Sequence, residues 1–221
     1  MATRPVFLSL KTGKSFVREI PVEFKWFPGL APSQKQKSIA SLHESVRERF
    51  KDVRPLEISS KSLDPVGIAL SAFNLRLPLG GTRVSVEVAF QAGKKFERGG
   101  PFLDLLLRSS REAKKDPRLK ESGRLLSFEL LGASWPTTPL TAFYDWLYLN
   151  ALMANPDLAE ALPDYGAFTD IEFNPEKSIN CQARSAALFV SLKKEGLLSE
   201  ALSERDAYLR IVASGASESA Q

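Results

Sequence analysis

The run Val86-Glu87-Val88-Ala89-Phe90-Gln91-Ala92-Gly93-Lys94-Lys95-Phe96 carries two patterns at once. Val86, Ala89, Phe90, Gly93 and Phe96 recur at helical spacing and predict a face that packs inward. Glu87, Gln91 and Lys94 follow at i, i+4 and i+7 along its flank. A carboxylate beside a core-facing stripe is placed to line a pocket, and the same spacing describes the solvated face of an ordinary helix. With Ser85 or Thr82 near the helix start, Glu87 falls in the first turn. There the free amides and macrodipole favour its ionised form by roughly 0.3–1 kcal/mol. Burial by Val86, Phe90 and Phe96 opposes ionisation, and Lys94 favours it.

Working outward, the helix is expected to end at Gly99-Gly100, with Pro101 in the first turn of the next. The opening predicts β structure. Val6–Leu10 leads to a Lys11–Lys14 turn, and Phe16, Arg18, Ile20, Val22, Phe24 and Trp26 then alternate with more polar positions. Ser33 suits the N-cap of a helix to about Phe50. Leu56–Ile58 and Gly67–Leu77 predict further strands, and Leu79-Gly80-Gly81 a turn. Ser109 and Glu112 have capping-box spacing for a separate basic helix over Arg111–Lys120. Leu125–Leu131 predicts a strand, Thr138-Pro139 the cap of an apolar helix closed by Asn155-Pro156, and Phe168–Phe173 a short strand. Asn180 is expected to open a helix whose Ala183, Ala186, Ala187 and Val190 pack closely. A last helix over about Leu198–Val212 precedes a tail, 214–221, expected to be disordered. The predicted class is α+β, a mixed sheet surrounded by helices in one domain over residues 1–213.

At 221 residues and 43% hydrophobic content, the chain can bury a core without covalent staples. One cysteine, Cys181, and one histidine, His43, leave no disulfide framework, zinc pattern or His-rich metal site. A Ser-His-Asp or Cys-His mechanism would have to use His43, which reads as a surface or packing residue of the Ser33–Phe50 helix. No metal and no cofactor are expected. Carboxylate, amide and lysine groups are left to carry chemistry. No apolar run reaches membrane-spanning length and no signal peptide is evident, so a cytoplasmic setting without membrane contact is expected.

Charge is segregated. Residues 1–130 hold 24 Lys+Arg against 14 Asp+Glu, and the remainder 6 against 12. A basic surface of this kind suits a polyanion. Arg108, Arg111, Lys114, Lys115 and Arg118 would form a stripe along one helix, able to track a nucleic-acid backbone, although Glu112 and Asp116 interrupt it. Phe27, off the Phe24/Trp26 alternation, could stack a base. Gly99-Gly100-Pro101 could present amides to a phosphate or simply mark a turn. On the expected Phe168–Phe173 strand, Asp170 and Glu172 share a face and could supply a second acid.

Together these residues resemble the NADAR (YbiA-like) superfamily. Its signature of a Ser/Phe/Asn cluster before a helix with glutamate, aromatic, glutamine and Lys-Phe is similar to Leu70-Ser71-Ala72-Phe73-Asn74 and Glu87…Phe90-Gln91…Lys95-Phe96. A late asparagine after an acidic strand looks like Asn180 following Asp170–Asn174. Phe96-Glu97-Arg98-Gly99-Gly100-Pro101, Ala142–Leu147, 168–183 and the 24–43 tract resemble the DarT-associated branch, with residues 1–55 as its N-terminal elaboration. Two features depart from the wider family. Val88-Ala89 stand where YbiA-like proteins often have His-Tyr, and Glu176–Ile179 replaces a Trp-Gly loop.

The resemblance implies a glycohydrolase that removes ADP-ribose from guanine in DNA. It also implies an antitoxin to a DarT-type DNA ADP-ribosyltransferase, so the partners would be ADP-ribosylated DNA and that toxin. It further implies Glu87 as the catalytic residue and Ser71, Asn74, Gln91, Lys94, Asn174 and Asn180 as ribose or phosphate contacts. Two alternatives remain open at this level: an antitoxin that binds the toxin without catalysis, and an N-glycosidase acting on a small phosphorylated metabolite.

Overall fold

The computed structural model describes residues 1–10, 16–176 and 178–216. The chain opens with strands β1 (Ala2–Ser9) and β2 (Val17–Phe24), helix α1 (Pro32–Arg49), strand β3 (Pro55–Glu57) and short helix α2 (Pro65–Ala69). Strands β4 (Arg76–Leu79) and β5 (Thr82–Ser85), helix α3 (Val86–Ala92) and strand β6 (Lys94–Phe96) follow. A 3₁₀ turn at Leu103–Leu107 leads into α4 (Ser110–Lys115) and α5 (Arg118–Glu121), then β7 (Leu125–Leu130) and β8 (Ala133–Trp135). Helices α6 (Ala142–Met153) and α7 (Pro156–Ala161), strand β9 (Ala167–Thr169), and helices α8 (Gln182–Lys194), α9 (Leu198–Ala201) and α10 (Arg205–Ala216) complete it. The class is α+β, as the sequence predicts. Two compact units make it up: Met1–Ser71 with Asp157 onward, and Ala72–Pro156.

The first unit is built on a mixed sheet of order β2-β1-β9-β3. β1 pairs antiparallel with both β2 and β9, and β3 runs parallel to β9. The predicted alternation holds: Ile20, Val22 and Phe24 are buried and join Val6, Leu8 and, from α1, Ile39, Leu42 and Val46 in one core. Phe7, on the opposite pleat, meets Phe173 edge-on. α8 packs on β1 and β9, and its Ala183, Ala186, Ala187 and Val190 are all fully buried.

The second unit places α3 between an antiparallel hairpin, β4-β5, and an antiparallel sheet of order β6-β7-β8. Phe90 of α3, Phe128 of β7 and Phe143 of α6 form an aromatic core, with Phe128 and Phe143 centroids 4.9 Å apart. Gly93 is required here by contact: a β-carbon would come within 2.9 Å of Phe143 Cζ.

Several boundaries differ from expectation. α3 stops at Gly93, because residues 94–96 gain more by pairing with β7 than by extending an isolated turn. Gly67–Leu77 is not a strand. Asp64 accepts a hydrogen bond from the Val66 N–H and Pro65 fixes the first helical φ, so α2 forms instead. α1 begins at Pro32 without a side-chain cap, not at Ser33. Pro101 precedes a 3₁₀ turn rather than an α-helix. α6 is capped at Thr141 and α8 at Cys181, one residue past Asn180. β9 ends at Thr169 because the Asp170 carboxylate turns back to accept from the N–H groups of Glu172 and Phe173, which abolishes the expected Asp170/Glu172 face. The last predicted helix is two, α9 and α10, and α10 continues through Ala216 where a tail was expected. The Lys11–Lys14 turn, Lys177 and 217–221 lie outside the described residues.

Candidate active site

Glu87 lies in the first turn of α3, whose N-cap Ser85 accepts from the Val88 N–H at 3.2 Å. Two backbone bonds tie this end of the helix to the preceding turn, from Val86 N to Leu75 O and from Glu87 N to Ala72 O. The Glu87 residue is only 5% exposed, so the solvated-face alternative fails at this position. Both carboxylate oxygens face a polar group. Gln91 Nε2, one turn on, donates to Oε1 at 2.8 Å, and Lys114 Nζ sits 3.7 Å from Oε2.

Lys114 was expected to track a nucleic-acid backbone. Instead it points back toward Glu87 and over the Phe73 ring, 5.0 Å from its centroid. The cause is local. The Ser109–Glu112 capping box fixes the start of α4, and Ser110 Oγ bonds to Ser85 Oγ at 2.7 Å and to the Phe73 carbonyl at 3.1 Å. One helical turn from Ser110, Lys114 is thereby carried to the carboxylate. The capping box was legible in the sequence; the Ser85–Ser110 tie, which turns α4 inward, was not.

Lys94 reaches the same site from strand β6, not from the helix. Its ammonium lies 4.6 Å over the Phe90 ring. Burial brings its pKa down to about 8, with Glu87 pulling it up and Lys114 pressing it down. Gly100 secures the backbone here: it has φ +81°, and a β-carbon on it would collide with the Lys94 carbonyl. Gly99-Gly100 is therefore a turn that buttresses Lys94. No helix of useful length follows it to cradle a phosphate.

The rest of the expected basic stripe is divided. Asp116-Pro117 breaks the helix between α4 and α5. Arg118 is held by Asp104 at 2.7 Å and Asp116 at 2.9 Å, over the Phe102 ring. Arg108, Arg111 and Lys115 remain exposed. Residues 72–156 hold 12 Lys+Arg against 8 Asp+Glu, and the other unit 18 of each, so the chain's whole excess of +4 resides in the unit containing Glu87.

Of the other expected contacts, Asn74 is an exposed residue of the turn before β4. Ser71, Phe27, Asn174 and Asn180 belong to the first unit. Ser71 is buried. Phe27 is half-buried, with its N–H on Ser38 Oγ and the Lys25 ammonium over its ring at 5.1 Å. Asn174 Oδ1 caps its own turn at Glu176 N. Asn180 Oδ1 is buried without a hydrogen-bond partner among the described residues. The structure thus gathers Glu87, Gln91, Lys94 and Lys114, with Phe73 and Phe90 as flanking rings.

The first unit holds a second acidic cluster. Glu57 accepts from Thr169 Oγ1 at 2.6 Å and from the Ile171 N–H at 2.9 Å. Asp170 Oδ2 accepts from Gln182 Nε2 at 3.0 Å. Burial raises the pKa of both carboxyls, and Glu57 raises that of Asp170 further. His43 Nε2 lies 3.0 Å from Thr169 Oγ1. Because that hydroxyl gives its one proton to Glu57, the histidine is the donor and carries its proton on Nε2. Burial, and then Arg47, lower the pKa of His43 to about 4, so it is neutral at pH 7. It is a packing histidine. Among the described residues no group of three or more His, Cys, Asp or Glu could hold a metal ion, and no helix is long and apolar enough to cross a membrane.

The sequence pattern of the DarT1-associated NADAR antitoxins matches residues 2–221. The chain belongs to that family. The match spans both units, including the N-terminal strands and α1. Comparison with curated proteins found none that matches. In this NADAR antitoxin Glu87 of α3 sits in a buried setting flanked by the Lys114 ammonium.

Proposed function

We propose that this antitoxin hydrolyses the N-glycosidic bond joining ADP-ribose to guanine in DNA, and so reverses the action of a DarT-type DNA ADP-ribosyltransferase in the cytoplasm. The observation that carries this reading is the Glu87 carboxylate, buried with an amide donor on one oxygen, Lys114 beside the other and Lys94 in electrostatic reach. Cleaving such a bond develops positive charge at C1 of the ribose, and a fixed carboxylate at low dielectric stabilises that charge most where it appears.

The departing base takes the electron pair of the C1–N bond and needs a proton. Lys94 supplies it, since its lowered pKa makes it a better acid than a surface lysine while leaving it protonated at pH 7. Water then adds to C1 and returns a proton to Lys94. Asn74, in the unit that holds Glu87, is a proposed contact for the rest of the ADP-ribose. The exposed Arg108, Arg111 and Lys115 are proposed for the DNA backbone, and the unit-level charge excess supports them.

The test is release of ADP-ribose from a single-stranded oligonucleotide bearing ADP-ribosyl-guanine, comparing wild type with Glu87→Gln. Full activity in the variant would sink Glu87 as the catalytic group. A wild-type protein that leaves the modified DNA untouched yet co-purifies with the toxin would replace catalysis with inhibition by binding.

A further inference from the structure

Gln91 is 7% exposed, and its Oε1 is buried without a hydrogen-bond partner among the described residues. The orientation of the amide is fixed by its neighbour, because a carboxylate only accepts, so the NH₂ end must face Glu87. The carbonyl end therefore points elsewhere. A buried carbonyl oxygen without a donor is costly, and such atoms in folded proteins recur where a ligand completes the bond.

Resting on the glycohydrolase reading, we infer that Gln91 Oε1 receives a hydrogen bond from the 2-hydroxyl of the ribose whose C1 faces Glu87. The chemistry at Oε1 narrows the choice. An acceptor excludes phosphate oxygens, which have no proton to give at neutral pH, so of the ribose and phosphate roles open to Gln91 only the first survives. Position narrows it further. Oε1 is two bonds from a nitrogen that touches the carboxylate at 2.8 Å. The substrate donor nearest C1 on the sugar is the hydroxyl on the adjacent carbon. Glu87 and Gln91, one helical turn apart, would thus grip neighbouring ribose atoms. Such a bond strengthens as charge develops at C1 and acidifies that hydroxyl. Gln91 is on this account a substrate-contacting residue that also holds the catalytic carboxylate.

The experiment is a cycle on kcat/KM using ADP-ribosyl-guanine oligonucleotides with an intact or a 2-deoxy distal ribose, and wild type, Gln91→Met and Gln91→Glu. Deoxy sugars lose their base more readily by intrinsic chemistry, and the cycle cancels that effect. Hydroxyl loss is expected to cost wild type about 10–100-fold more than it costs Gln91→Met, the range for stranding a buried acceptor. Gln91→Glu keeps an acceptor but loses the donor to Glu87. It should have a lower kcat and retain sensitivity to the hydroxyl. An equal cost in wild type and Gln91→Met overturns the inference. Calorimetry with free ADP-ribose and its 2-deoxy analogue repeats the cycle without turnover. If wild type proves inactive, the binding cycle still decides the Gln91 contact while the glycohydrolase reading falls on its own.

Discussion

Glu87 in the 72–156 unit and Glu57 in the other are both buried glutamates with well-made hydrogen bonds, and their neighbours give them opposite characters. Glu87 has an amide on one oxygen and an ammonium near the other, with a second lysine in electrostatic reach. Glu57 has the Thr169 and Ser59 hydroxyls and the Ile171 N–H, and the largest charge effect on its partner Asp170 is its own. At Glu57 burial penalises the charged form. What separates the two carboxylates is a cation delivered from a different element. α4 supplies one to Glu87; among the described residues, the elements around Glu57 supply none.

The sharpest way to break this contrast is to make the same substitution at both sites. Glu87→Gln is expected to lower kcat by about 10²–10³-fold, the size seen when a preorganised electrostatic group is removed, with little change in melting temperature. The pH profile is the next largest effect. With Lys94 as proton donor, kcat should fall as pH rises through about 8, approaching tenfold per unit above it, and Lys94→Met should abolish that limb. Lys114→Met should cost roughly twofold to fivefold, since a pair with a half-exposed lysine is screened by solvent.

Glu57→Gln should act on stability instead. A carboxyl whose pKa is raised by folding contributes stability that is complete below the ordinary carboxylate range and lost as pH rises through the raised value. A neutral amide at this position would remove that loss and relieve Asp170, so the melting temperature should gain about 2–4 °C at alkaline pH and little in acid. Thr169 can accommodate it by turning its hydroxyl proton to His43 Nε2, with the histidine's own proton moving to Nδ1. His43 runs the other way: its lowered pKa gives stability present above about 6.5 and lost as pH falls toward 4. A gain confined to acid would refute the account of the pair. The smallest effects concern DNA. Arg111→Ala and Lys115→Ala should each reduce the slope of log affinity against log salt by about one, measured by anisotropy, and leave cleavage at saturation unchanged.

How much of this could be read beforehand differs by residue. Local signals served well where one short segment decides: the Ile20/Val22/Phe24 alternation, the Ser85 cap, the Ser109–Glu112 box, and Glu87 with Gln91 one turn apart. Signals failed where two segments compete. The helical spacing from Val86 to Phe96 carried Lys94 to the right neighbourhood for the wrong reason, because pairing with β7 claimed residues 94–96. The Phe168–Phe173 alternation was overruled by a single aspartate side chain folding back on the backbone.

The sequence by itself determined the chemistry available to this NADAR antitoxin. One histidine, one cysteine and a basic excess leave carboxylate, amide and lysine to act, and the spacing of Glu87 and Gln91 already puts them on one flank of the helix. Tertiary structure alone decided which lysines matter. Lys114 and Lys115 are neighbours in an even basic tract, yet one meets the carboxylate and the other meets solvent. That choice depends on the direction α4 takes from its hydroxyl tie to Ser85. It rests on contacts 25 residues apart, beyond the reach of any local pattern.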